Sequence, residues 1–143
     1  MGDDLIYLRV PAHLEYRDLV SRAVSTACKV ATGREKPQVD AASEAVVELV
    51  SAVGEAFNNA VLHAYGDRTD GALDLEIRNR GGVIEVTLRD EGRSFDTDDV
   101  PEPDLDALPE SGMGLFIMRA FCDEVSYRPG PPNVLFLRKR VVP

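Results

Sequence analysis

Three groups of residues in this chain have types and spacings that could do chemistry. The first is Glu55 with Asn59. Four residues apart on a helix, they differ by about 40° in direction, so a carboxylate and a carboxamide can meet one ligand. That pair suits a hydrated magnesium ion, which prefers oxygen ligands and keeps several waters, and the carboxylate could position a nucleophile. The same two residues would equally make a solvated helix face with an internal hydrogen bond. The second group is Asp90-Glu91-Gly92 at the end of an alternating apolar run. An acidic residue followed by glycine suits a turn. It also suits a pocket floor, where a carboxylate accepts the exocyclic amine of adenine and a residue without a side chain lets the base approach the backbone. The third is Ser111-Gly112-Met113-Gly114, directly before the apolar segment that opens at Leu115. Glycines leading into a helix offer backbone N–H groups and a helix N-terminus to phosphates; a loop-to-helix hinge uses the same residues.

The elements that must position these groups follow from hydrophobic periodicity. Leu5 to Val10 reads as a short strand closed by Pro11. From Ala12 to about Thr32, Leu14, Leu19, Val20, Ala23, Val24, Ala27 and Val30 recur at helical spacing, and Gly33 stands where that helix would stop. After a polar connection, Asp40 is the expected N-cap of a second helix over residues 41 to 65, with Val46, Val50, Val53, Phe57, Val61 and Ala64 as its stripe. Glu55 and Asn59 lie opposite that stripe, yet Ala45, Leu49, Ala52, Ala56 and Leu62 flank them, so the helix is expected to be covered on both sides. Ala72 to Arg78 and Val83 to Asp90 alternate, and Asn79-Arg80-Gly81-Gly82 joins them as a β-hairpin.

The acidic stretch from Glu91, with Pro101, Pro103 and Pro109, has little periodicity and reads as a lid or binding loop over about residues 91–112. A helix over Leu115 to Phe121 and strands over about 124–128 and 134–140 complete the chain. The expected fold is one domain over residues 1–143: an α/β two-layer sandwich with a mixed, largely antiparallel sheet covered by helices on one face.

Composition narrows the function classes. The chain has 143 residues and a net charge of −9, with no basic stripe, which argues against direct nucleic-acid binding and leaves a basic protein partner open. No uninterrupted apolar run approaches the ~20 residues of a membrane span, and the acidic start does not resemble a secretory signal, so a cytoplasmic protein with no membrane partner is expected. Cys28 and Cys122 lack companions at metal-binding spacing and read as buried or partly exposed free thiols.

The order and spacing of the three groups carry a resemblance. GEAFNNAVLHAY resembles the N-box of GHKL (Bergerat-fold) ATPases, RDEGRSFD resembles their adenine-reading acidic-glycine box, and SGMGLFIMRAFCDEV resembles the glycine-rich end of their ATP lid. The endings NAVLHAY and SGMGLFIM, with the opening PAHLEYRDLV and the length, resemble the bacterial anti-sigma-factor serine kinases of partner-switching systems. The resemblance implies ATP and Mg2+ as cofactors. It implies that Glu55 accepts the proton of the attacking hydroxyl and that Asn59 binds magnesium, Asn58 being at the wrong distance from Glu55. It places Asp90 and Gly92 at adenine, and Ser111, Gly112, Met113, Gly114 and Leu115 beside the phosphates. His63 also falls at a family position, with packing or a local hydrogen bond as its expected role. The implied activity is transfer of the ATP γ-phosphoryl group to a serine of a STAS-type anti-sigma-factor antagonist, with sequestration of a sigma factor by what is expected to be a homodimer.

Three residues depart from the family pattern. Ser94 replaces the second glycine of the adenine box, Glu110 stands where some relatives have a basic residue, and GPPNVLFLRKR lacks the usual Gly-Thr, with Asn133 as its polar substitute. Two other functions fit fewer features: an ATP-binding module that sequesters a partner without phosphoryl transfer, and the catalytic domain of a sensor histidine kinase, for which a preceding phospho-accepting helix is missing.

Overall fold

In the computed structural model the residues described are 4–33, 41–66, 70–94 and 113–142, with 41–43 and 113 by backbone alone. The elements are β1 (Asp4–Pro11), α1 (Arg17–Thr32) after a 3-10 turn at Leu14–Tyr16, α2 (Ala41–Asn59), β2 (Ala72–Arg80), β3 (Val83–Asp90), α3 (Met113–Phe121), β4 (Glu124–Arg128) and β5 (Asn133–Arg140). The helix of α2 runs on through a π-helical turn, Ala60–Tyr65. The expected elements are all present, most of them within two residues of the expected ends. Asp40 lies outside the described residues.

Five strands form one sheet in the order β1-β2-β3-β5-β4, and every pairing is antiparallel. The alternation in the sequence sets the register, because a one-residue slip would turn an apolar face to water. Leu73, Leu75, Ile77, Ile84, Val86, Leu88, Leu135 and Leu137 are buried under the helices. The other face carries cross-strand ion pairs such as Arg9–Asp74 at 2.8 Å and Arg89–Glu76 at 3.3 Å. Pairs this exposed contribute at most about 1 kcal/mol each, and they mark that face as the solvated one. The two-residue turn Gly81-Gly82 has positive φ at both positions, 59° and 89°, as the hairpin chemistry of the sequence requires.

α2 is the central helix. Phe57, Val53 and Leu49 are fully buried, and Ala52 and Ala56 are covered where α3 packs on it through Leu115 and Met118. With its π turn it is long and apolar enough, by composition, to cross a membrane, but its apolar stripe is the floor of the core. The cover is incomplete at Leu62, which is 53% exposed. α1 also departs from the expected stripe: Val20, Val24, Ala27 and Cys28 are buried, whereas Leu19 and Val30 are exposed. It packs on α2 and on β2, so only one narrow stripe is covered.

Candidate active site

Glu55 and Asn59 are one helical turn apart on α2, pointing away from the sheet, and both are half-buried. What half-buries them is the first turn of α3. A Cβ built on Gly114 would lie 3.0 Å from Asn59 Nδ2, 3.2 Å from Asn59 Oδ1 and 3.3 Å from Glu55 Oε2. Even the smallest side chain there would press on the two polar groups, so glycine sets the approach of α3 to α2. The first residues of a helix also have N–H groups without partners inside it. Gly114 thus brings the backbone of the described start of α3 against the carboxylate and the carboxamide. Asn58 is not part of this arrangement, and its buried Oδ1 has no hydrogen-bond partner among the described residues.

The Asp90 end is built by three elements. Asp90 closes β3 opposite Asn133, the first residue of β5, and is 7% exposed. Its Oδ1 accepts hydrogen bonds from Asn133 Nδ2 at 2.8 Å and from the Gly92 N–H at 2.9 Å. Burial pushes the Asp90 pKa above the ordinary carboxylate range, while the Asn133 and Gly92 donors oppose that shift. A Cβ on Gly92 would collide with the Ala64 carbonyl oxygen, so the chain can pass here only as glycine.

The π turn joins the two ends. The Ala64 carbonyl accepts the Arg93 N–H at 2.7 Å. The Tyr65 hydroxyl accepts the Glu91 N–H at 2.8 Å and donates to the Ala72 carbonyl at 2.7 Å. At roughly 1.5 Å of rise per residue, Ala64 is on the order of 10 Å along the helix from the Glu55–Asn59 turn. One helix thus carries a hard-oxygen group at one point and anchors a carboxylate-floored turn at another, a span that a nucleoside triphosphate can bridge.

The structure therefore brings Glu55 and Asn59 together with Gly114, and Asp90 with Gly92. Leu115 is 4% exposed with its side chain in the core, so it can offer a ligand only its backbone N–H. Met113 begins α3, and its side chain is outside what is described. Ser111, Gly112, Glu110 and the lid beyond Ser94 lie outside the described residues. His63 sits in the π turn with its side chain exposed. Cys28 is buried and Cys122 half-buried, both free thiols, and burial raises them to about 12 and about 11. Sequence reasoning assigned Tyr65 no role. Its only signal was a tyrosine at the end of an apolar helix, directly before Gly66.

A model of the histidine kinase-like ATPase domain matches residues 18–139, which include all of these groups. The chain belongs to the histidine kinase-like ATPase family. Among curated relatives, the anti-sigma F factor of Halalkalibacterium halodurans is 34% identical over 119 residues, covering 79% of this chain and 82% of that protein. The serine-protein kinase RsbW of Oceanobacillus iheyensis is 34% identical over 130 residues, covering 85% and 77%. Among solved structures, the histidine kinase domain of the Erythrobacter litoralis EL346 blue-light activated histidine kinase superposes with a TM-score of 0.56 at 23% identity, over 92% of this chain and 61% of that one. That likeness supports the fold alone.

For a histidine kinase-like ATPase the ligand is ATP, and the donors at Glu55 and Asn59 are all oxygens or an amide. Among the described residues no group of three or more His, Cys, Asp or Glu gathers to make a protein-only metal cage. An oxygen-only set with few protein ligands fits magnesium, which keeps its waters and shares phosphate oxygens, better than zinc.

Proposed function

We propose that this protein is an anti-sigma factor with serine-protein kinase activity, which transfers the γ-phosphoryl group of ATP to a serine of a STAS-type anti-sigma-factor antagonist. The observation that carries the reading is the meeting of Glu55, Asn59 and the Gly114 turn of α3, on the helix whose next turns anchor Asp90 and Gly92. The names and coverage of the relatives support the partner class. Asn59 would hold a magnesium ion through its side-chain oxygen, and the ion would neutralise phosphate charge. Asp90 accepts the adenine amine, and the first turn of α3 offers N–H groups to phosphate oxygens. Glu55 accepts the proton of the antagonist's serine hydroxyl as its oxygen bonds to the γ-phosphorus and the bond to the β-γ bridging oxygen breaks, releasing ADP.

In this reading the protein works in the cytoplasm as a homodimer and holds a sigma factor when the antagonist is phosphorylated. Incubation of the purified chain with labelled ATP, magnesium and candidate antagonists tests it. Phosphoserine on one antagonist is expected, with Glu55→Gln binding ATP normally but transferring at least ~100-fold more slowly, the low end of general-base effects. ATP and partner binding with no transfer by the parent would instead leave a sequestering module.

A further inference from the structure

Two departures from the family pattern, Ser94 and Asn133, meet in the fold. The Ser94 hydroxyl donates to Asn133 Oδ1. The same Oδ1 accepts the Gly130 N–H at 2.9 Å, and Asn133 Nδ2 donates to the Gly92 carbonyl at 2.9 Å as well as to Asp90 Oδ1 at 2.8 Å. A backbone N–H can only donate and a carbonyl can only accept, so Gly130 and Gly92 between them allow this amide one orientation. Asn133 is 1% exposed and is held by four hydrogen bonds; nothing in that arrangement can turn without leaving a buried group unpaired. The consequence falls on Asp90. Both of its hydrogen bonds go to Oδ1, and Oδ2 accepts none among the described residues.

We propose that Ser94 and Asn133 are a coupled pair of positioning residues that set base specificity, fixing Asp90 so that Oδ2 remains an open acceptor for a purine amine and rejects a purine carbonyl. The proposal rests on the ATP-binding reading above. An acceptor free to rotate, or shared with a protein donor, would tolerate the guanine carbonyl through a bridging water. One that is pinned by a correctly oriented amide cannot adapt. Ser94 matters because it is the exposed end of the pair, and its hydroxyl reinforces the Asn133 orientation from the start of the segment after β3.

The experiment compares ATP and GTP affinity in the full chain for the parent, Ser94→Ala, Asn133→Leu and the double variant, with a melting curve for each. The parent is expected to prefer ATP strongly. Ser94→Ala, at an exposed site, should fold normally and narrow the ATP-to-GTP ratio several-fold; Asn133→Leu should narrow it by about tenfold or more, the scale of a lost charge-assisted hydrogen bond. In the Asn133→Leu background Ser94→Ala should change the ratio no further, because the two act as one unit. A structural role alone would weaken both nucleotides together and leave the ratio unmoved, which would overturn the proposal, as would additive effects. If Asn133→Leu does not fold, the Ser94→Ala ratio decides. A parent that binds neither nucleotide, or both equally, overturns the ATP reading itself; a discriminating parent with unchanged variants overturns only the pair.

Discussion

Asp90 shows how one residue can trade stability for recognition. Its carboxylate is buried at the end of β3, and burial raises its pKa against the opposing pull of Asn133 and Gly92. A carboxyl raised in the folded state binds its proton more readily than in the unfolded chain. Its contribution to stability is therefore full below the unfolded carboxylate value of about 4 and is lost as the pH rises through the higher folded value. At pH 7 the ionised group costs stability in the free protein. Asp90→Asn keeps the shape and an acceptor for both Gly92 and Asn133, so the free variant should melt above the parent at pH 7, with the difference shrinking as the pH falls toward 4. Its ATP affinity should be roughly ten- to a hundredfold weaker, since a donor replaces Oδ2. Paired melting curves and titrations across pH check both signs, and a free variant that is less stable at pH 7 would contradict the account.

At the scale of elements, the π turn is what holds the two ends of the site in one frame. Tyr65 ties β2 to the exit of β3 through one hydroxyl, with its ring so close to Gly71 that a Cβ there would lie 2.6 Å from Tyr65 Cδ1. Tyr65→Phe keeps the ring and removes the hydroxyl that joins the Glu91 N–H to the Ala72 carbonyl, so unfolding in urea should show a loss of about 0.5–1.5 kcal/mol, the net worth of a hydrogen bond between groups that water can partly reach. An unchanged midpoint would mean that water replaces the hydroxyl at no cost. None of this could be read from sequence. Ala60 to Tyr65 is five small or apolar residues and one histidine, too short a run to separate a π turn from the helix before it, and the hydrogen-bond partners of the Tyr65 hydroxyl are backbone groups with no residue signature. The strands were legible because alternation and register are the same physical fact. Glu55 with Asn59 was legible because helical spacing alone aligns them, whereas the approach of Gly114 depends on how α3 packs. Asn133 was visible as a polar residue in the right place, but its bonds to Ser94 and Gly92 join residues some 40 apart in the chain.

For the molecule as a whole, the net charge of −9 is the property that a partner meets before any contact forms. The solvated face of the sheet balances its charges locally through pairs such as Arg9–Asp74 and Arg138–Glu124, whereas residues 91–110 carry eight Asp and Glu against one Arg, so most of the excess of acid belongs to that one stretch of the sequence. On the proposed function, phosphorylation adds between about −1.5 and −2 charges to the antagonist at pH 7. That group must then approach an already negative protein, and the repulsion can drive release without a conformational change. The quantity to measure is the ratio of dissociation constants for phosphorylated and unphosphorylated antagonist, because whatever else salt does to the common interface cancels in it. Between about 0.1 M and about 1 M salt the screening length falls from about 10 Å to about 3 Å. The ratio should fall by several-fold or more over that range, with the phosphorylated form regaining affinity while the unphosphorylated form gains none. A ratio that does not change with salt would place the release in direct contact at the phosphoserine, and the net charge of the protein would have no part in it.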